Sequence, residues 1–246
     1  MTAPGNGNGG AVDDPPDNTG DMPRSYAGRW EGTITYTERG TAPWDVPAGQ
    51  TGSGKRQLGA TETYRVIGSE QPQNGTAGVL SINLRLERDA NTTYSDVGLL
   101  EEQVQGTCPG SSQVQVIQRT LDGRDIQVSN ASTEPMDGRL VISADTAPQP
   151  GPDTYWVDFT PETVTMKGTE KITMVTEKLC PGGTKSDSSY SGPSAVGYGP
   201  QPMNVRGNVP EGDVEVLKGT YDLRNTFFRG INTSVHVEWE LYRISE

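Results

Sequence analysis

Apolar and polar residues alternate along most of the chain from Ser25 onward, which is the pattern of β-strands that bury one face. The clearest run is residues 80–87 (LSINLRLE), where aliphatic side chains alternate with polar ones. A second run is residues 235–243 (VHVEWELYR), near the C-terminus. Weaker alternation predicts further strands at residues 30–37, 61–67, 113–119, 125–129, 139–144, 154–159, 170–176, 214–216 and 219–223.

Turn-forming dipeptides separate several of these runs and predict hairpins between them. They are Asn74-Gly75, Asp122-Gly123, Asp137-Gly138 and Lys167-Gly168. Residues 186–210 are rich in Ser, Gly and Pro and predict a long surface loop. Residues 94–106 fit either a short helix or a strand, and their position before a Cys-Pro-Gly sequence favours the strand.

We therefore predict an all-β fold, an antiparallel β-sandwich or barrel of roughly ten or more short strands. The alternation is the same in both architectures, so the choice between them stays open. The all-β domain is expected to span residues 25–246. Residues 1–24 are rich in Gly, Pro, Asn and Asp and predict a flexible, disordered N-terminal tail.

The two cysteines stand in matching contexts, because Cys108 and Cys180 are each followed by Pro-Gly. We predict a disulfide between them, which would stabilise the fold by roughly 4 kcal/mol in the chain-entropy model. The alternatives are two buried free thiols or a redox pair, although the C-x-x-C spacing of a redox pair is absent. The matched corners also predict an internal duplication, with repeat units at residues 64–110 and 140–183.

A disulfide indicates an oxidising compartment, so we expect an extracellular or cell-surface protein. No apolar targeting segment follows Met1, and an exported protein would therefore appear here in its mature form. No apolar run approaches the ~18 residues that a membrane-spanning helix needs, so no transmembrane segment is predicted.

The net charge of the chain limits which classes of partner are expected. The chain has 20 Lys and Arg against 32 Asp and Glu, a net charge of −12, which argues against nucleic acid or an anionic membrane. The expected partners are proteins or carbohydrates at the cell surface. Self-assembly through exposed strand edges is also expected, because such edges can add a further strand.

The polar face of the C-terminal strand is the first candidate site. Alternation places His236, Glu238 and Glu240 on one face, with neighbouring side chains roughly 7 Å apart. Such a set could bind a ligand or a metal ion, or supply paired carboxylates for glycoside cleavage. The E-x-E spacing resembles that of jelly-roll glycanases, although their fuller acidic motif is absent. The opposite, apolar face is a core stripe, so the simplest interpretation of the polar face is a solvated surface.

A second candidate lies at the start of the domain. Gly28-Arg29-Trp30, taken with Arg243 near the C-terminus, resembles the G-x-W motif and covering arginine of the lipocalin-like calycins. The resemblance implies a closed barrel with an apolar ligand cavity, and makes Trp30 a candidate ligand-binding residue. The alternative is an ordinary core tryptophan on the first strand.

Residues 49–56 (GQTGSGKR) resemble the phosphate-binding loop of P-loop NTPases until Arg56 replaces the required Ser or Thr. We interpret them as a flexible Gly/Ser hairpin loop. The chain has one histidine, and the sequence shows neither a metal-ligand cluster nor a complete catalytic motif.

We predict a non-catalytic, secreted or cell-surface β protein, without cofactor or metal, that acts in adhesion, structural assembly or ligand binding. One alternative is a β-sandwich glycan hydrolase that uses Glu238 and Glu240. The other is a lipocalin-like carrier of a small apolar ligand.

Overall fold

The computed structural model of the chain describes residues 28–70, 73–74, 79–107, 115–143, 153–178, 183–201, 203, 205–210 and 214–244. Within these ranges the chain forms eleven β-strands in one antiparallel sheet and no helix, so the all-β prediction is confirmed. The strands are β1 (Arg29–Pro43), β2 (Gln50–Ser69), β3 (Gln73–Asn74), β4 (Val79–Thr107), β5 (Gln115–Ser143), β6 (Thr154–Asp158), β7 (Val164–Lys178), β8 (Lys185–Tyr198), β9 (Val205–Asn208), β10 (Val216–Phe228) and β11 (Ile231–Ile244). The predicted N-terminal tail lies outside the described residues. A helix able to cross a membrane is absent from the part of the chain that the structure covers.

Neighbouring strands of the sheet largely follow chain order. The main path runs β10-β11-β1-β2-β4-β5-β6-β9, so the last strand of the chain lies beside the first. The short β3 pairs with β4, and the β7–β8 hairpin branches from β5. β5 can hold two partners on one edge because residues 118–129 pair with β7 and residues 139–143 with β6.

The sheet curves so that β6, near one end of this path, contacts β10 and β11 at the other end. The Trp239 indole N–H of β11 donates to the Tyr155 hydroxyl of β6 at 2.8 Å. That hydroxyl reaches the Lys218 carbonyl oxygen of β10 at 3.4 Å. The inner face therefore surrounds a single core, whose largest fully buried side chains are Trp30, Tyr36, Tyr64, Tyr155, Tyr198, Ile34, Leu58, Ile82, Leu86, Leu140, Ile142 and Met166.

The strands are longer than the turn signals predict, and three predicted hairpins are wrong. β4 and β5 are each 29 residues long. The dipeptides Asp122-Gly123 and Asp137-Gly138 lie within β5, and Lys167-Gly168 lies within β7. At two of these glycines, the absence of a side chain allows neighbouring groups to pack closely. A Cβ at Gly138 would lie 2.8 Å from the Leu86 side chain, and one at Gly168 would overlap the Gln127 carbonyl group of β5.

The predicted loop at residues 186–210 is also wrong, because it contains most of β8 and all of β9. Buried and exposed residues alternate only briefly near the end of β8, but this is enough to place Val196 and Tyr198 in the core. Residues 94–106 belong to β4, which confirms the strand interpretation. The predicted Asn74-Gly75 hairpin falls partly outside the described residues.

Part of the sheet extends past the core as a five-stranded arm. The arm consists of residues 50–55, 97–107, 115–125, 171–178 and 185–191, which pair across β2, β4, β5, β7 and β8. None of the side chains described in these ranges is buried. Its exposed large apolar side chains are Val97, Leu99, Val104, Met174 and Tyr190, which are 42–52% exposed. Both faces of the arm are therefore open to solvent among the described residues.

Candidate functional site

The predicted polar triad lies on the outer face of β11. His236, Glu238 and Glu240 are exposed, and the residues between them are buried, as the alternation predicts. Their cross-strand neighbours on β1 and β10 are short hydroxyl residues and charged residues: Thr33, Thr35, Thr37, Lys218, Thr220 and Asp222. The face is a flat, solvated surface over a packed core.

His236 is held at this surface by an acidic neighbour. Its Nδ1 lies 2.8 Å from Asp222 Oδ1, and its Nε2 lies 4.0 Å from Glu238 Oε2. The side chains are 48%, 67% and 58% exposed, respectively, so water screens these contacts and they stabilise the fold only weakly. Among the described residues, no group of three or more His, Cys, Asp or Glu side chains is placed to hold a metal ion.

Glu238 and Glu240 border a shallow depression together with Thr33, Thr35 and Lys218. The two carboxylates project side by side from one strand. Glycosidases place two carboxyl groups about 5–10 Å apart, on either side of the scissile bond. Side chains at i and i+2 of a strand are roughly 7 Å apart, which lies within that range.

Trp30 is remote from the triad because it lies on the opposite face of the sheet. It is fully buried, and the register of β1 with β11 sets it directly opposite Arg243. The Trp30 backbone N–H donates to Ser69 Oγ at 2.9 Å. Its indole N–H has no hydrogen-bond partner among the described residues. The structure therefore brings the three triad residues together and places Trp30 in the core.

The predicted disulfide cannot be located, because Cys108 and Cys180 lie outside the described residues. The strands that precede them end at Thr107 and Lys178. Gln118 of β5 pairs with Val104 on one side and Lys178 on the other, so both strands leave the sheet at the same end. The disulfide and the internal duplication stay predictions.

Sequence reasoning missed a buried carboxylate in the core. Glu38 is fully buried and accepts hydrogen bonds from the hydroxyl groups of Tyr36 (2.6 Å), Tyr198 (2.7 Å) and Thr233. No ion-pair partner of Glu38 is found among the described residues. Burial, reinforced by the nearby Glu38, raises the pKa of Tyr36 and Tyr198. The cluster joins β1, β8 and β11. Its only signal in the sequence is that Glu38 lies an even number of residues from Ile34 and Tyr36, and therefore on the same, buried face of β1.

A second buried cluster lies in the next strands. Arg88 donates to both carboxylate oxygens of Glu62, at 3.0 and 2.8 Å, and to the Glu162 carbonyl oxygen at 2.8 Å. The Tyr64 hydroxyl also donates to Glu62. Burial lowers the pKa of Arg88, but the hydrogen bonds and charge of Glu62 outweigh it and the pKa is raised. The hydrogen-bonding groups of each cluster are paired with one another. We therefore assign both clusters a structural role.

No model of a known protein family matches the chain. A search of curated proteins finds no match either.

Proposed function

We propose that the protein is a non-catalytic, secreted or cell-surface β protein that assembles with copies of itself through the outer edge of β8. One observation carries the proposal. β8 pairs with β7 on one side, and its other edge has no neighbouring strand in the described part of the chain. An open strand edge is a template for adding a further strand.

Pro193 indicates which backbone groups face outward. It lies opposite Thr169 in the pairing of β7 with β8. Because proline has no N–H, this pair cannot be one that exchanges hydrogen bonds. Every second residue from Pro193 then directs its N–H and C=O away from β7. In the exposed part of β8 these residues are Lys185, Asp187, Ser189 and Ser191.

Charge favours this edge over other surfaces. Each copy carries a net charge of −12, which disfavours close approach. β8 has only two charged residues, Lys185 and Asp187, and they have opposite signs. Tyr190 and Met174 are 51% and 47% exposed beside the edge and add apolar surface for a second copy. Pro193 limits pairing to the first half of β8, so we expect a dimer joined by an antiparallel pair of β8 strands.

The test is the molar mass in solution, measured by light scattering over a wide range of protein concentration. The parent protein is expected to grow in mass with concentration, and Ser189→Pro is expected to stay a monomer because it removes one outward N–H. Ser189→Ala, which keeps that N–H, is the matched control. Thermal melting should show that the proline variant still folds. A parent protein that is monomeric at every concentration would refute the proposal.

A lipocalin-like carrier is the second candidate, and two observations favour it. Arg243 lies opposite Trp30, as the calycin resemblance implies, and the main path of the sheet largely follows chain order and curves until β6 contacts β10 and β11. A carrier should bind one apolar probe, such as a fluorescent fatty acid, per chain. Absence of stoichiometric binding would eliminate this candidate.

The glycan hydrolase alternative depends on Glu238 and Glu240 and stays a prediction. Activity of the parent protein on a polysaccharide panel, lost in Glu238→Gln and Glu240→Gln, would support it. An inactive parent would end it.

A further inference from the structure

Two arginines flank a serine on the outer face of the sheet. Arg39 of β1 pairs with Ser234 of β11, and Ser234 pairs with Arg224 of β10. All three side chains are exposed and line one shallow depression. Adjacent strands are about 4.8 Å apart, so the two arginine Cα atoms are separated by about 10 Å. Both guanidinium groups can therefore converge over the small Ser234 side chain.

Neither guanidinium group has a carboxylate within ion-pair distance among the described residues. Arg65, on the same outer face, is by contrast paired with Glu87 at 2.8 Å and with Asp89 at 3.6 Å. The nearest acidic neighbour of the pair along β10, Asp222, is bound to His236.

The local backbone fixes the position of Arg224. The register of β10 with β11 shifts between Arg224 and Thr226, where Asn225 has a φ of 62°. Such bulges redirect the neighbouring side chains. Thr226 is held in turn by hydrogen bonds to the carbonyl and hydroxyl oxygens of Thr233, whose hydroxyl group reaches the buried Glu38. The depression thus rests on an anchored part of the sheet.

We infer that Arg39, Ser234 and Arg224 form a binding site for one anionic ester group, a sulfate or phosphate, carried by a saccharide. Such a group has three terminal oxygens, which match three donor side chains arranged in a row. Among the neighbouring outward-facing residues, Thr37, Thr41 and Asn232 are neutral hydrogen-bonding groups of the kind that contact sugar hydroxyls. The carboxylate that lines the depression, Asp222, is hydrogen-bonded to His236. A polyanion such as nucleic acid is disfavoured, because the site offers two cations on a molecule of net charge −12.

The experiment compares three probes by calorimetric titration at low ionic strength: N-acetylgalactosamine 6-sulfate, the corresponding 6-phosphate and the unmodified sugar. The parent protein is expected to bind the charged sugars more tightly than the neutral one, and the tighter of the two identifies the ester. Equal binding of all three, or none, would overturn the inference.

Variants test the residues. Arg39→Gln and Arg224→Gln should each weaken binding of the charged sugar about tenfold or more, because each removes a charge-assisted hydrogen-bonding group. Arg65→Gln is the matched control and should bind like the parent. Both arginines are exposed, so thermal melting should be unchanged in all three variants. If Arg65→Gln weakened binding as much as the two site variants do, binding would depend only on the overall charge of the protein. That result would contradict the proposed site.

Discussion

Trp30 and Arg243 face each other across the pairing of the first and last strands. The stem of Arg243 also lies against Gly28, where an added Cβ would stand 3.2 Å from Arg243 Cγ. The glycine, the tryptophan and the arginine that resemble the calycin motif are thus neighbours in space. Together they join the beginning and the end of the domain.

Removal of the Trp30 side chain should open a cavity at this junction. We expect Trp30→Ala to lower the free energy of unfolding by about 3–5 kcal/mol, measured by denaturant titration. Trp156 is the matched control because it is 38% exposed on β6, and Trp156→Ala should cost much less. Similar losses in the two variants would contradict the placement of Trp30 in the core.

A second prediction concerns the glycine-rich start of β2. Residues 50–56 form part of this strand, so the interpretation of residues 49–56 as a flexible loop is wrong. The Trp44 indole lies over Gly54 and donates to Asp96 at 2.6 Å. Gly54→Ala would overlap that indole and should destabilise the fold by about 1–3 kcal/mol. Gly68→Ala in the same strand meets only ordinary contact, at 3.9 Å from Arg85 Cβ, and is the control. Tolerance of Ala at both positions would contradict the packing of Trp44.

The buried tyrosines predict a loss of stability at alkaline pH. Burial raises the pKa of Tyr36, Tyr64 and Tyr198 above the ordinary value of 10.0. Because the folded state holds these protons more tightly than the unfolded state, their contribution is complete below pH 10.0 and is lost as pH rises through that value toward the folded pKa.

Tyrosinate absorbance and circular dichroism, followed together through this range, check the prediction. The buried tyrosines should ionise only as the protein unfolds. Tyr198→Phe should lower stability at neutral pH, since Glu38 loses a donor, and should make the alkaline decline less steep. Ionisation of all tyrosines near pH 10.0 with the fold intact would contradict the buried clusters.

The sequence predicts the inner and outer faces of β11 over residues 235–241, where apolar and polar residues alternate without a break and the apolar ones are buried. Prediction from the sequence fails where the structural role of a residue depends on a strand that is distant in the chain. Asp137-Gly138 has the composition of a turn, yet the Leu86 side chain of β4 requires a glycine there for close packing. No local signal distinguishes these two uses of glycine.

The same limit applies to Glu38. Alternation along β1 places the Glu38 side chain on the inner face of the sheet, but a carboxylate is expected to face water unless a hydrogen-bonding partner is present. Two of its three hydrogen-bond donors are remote in the chain, since Tyr198 is 160 residues away and Thr233 is 195 residues away. Arg39 and Arg224 likewise become neighbours only through the register of three strands.

The outward amides of β8 give the most direct test of assembly through its edge. Hydrogen exchange resolved by residue should be measured in dilute and concentrated protein. We predict that the amides of Asp187, Ser189 and Ser191 become protected as concentration rises, while those of Ser188 and Tyr190, which face β7, do not change. Exchange of the three outward amides at the same rate in both samples would contradict the account.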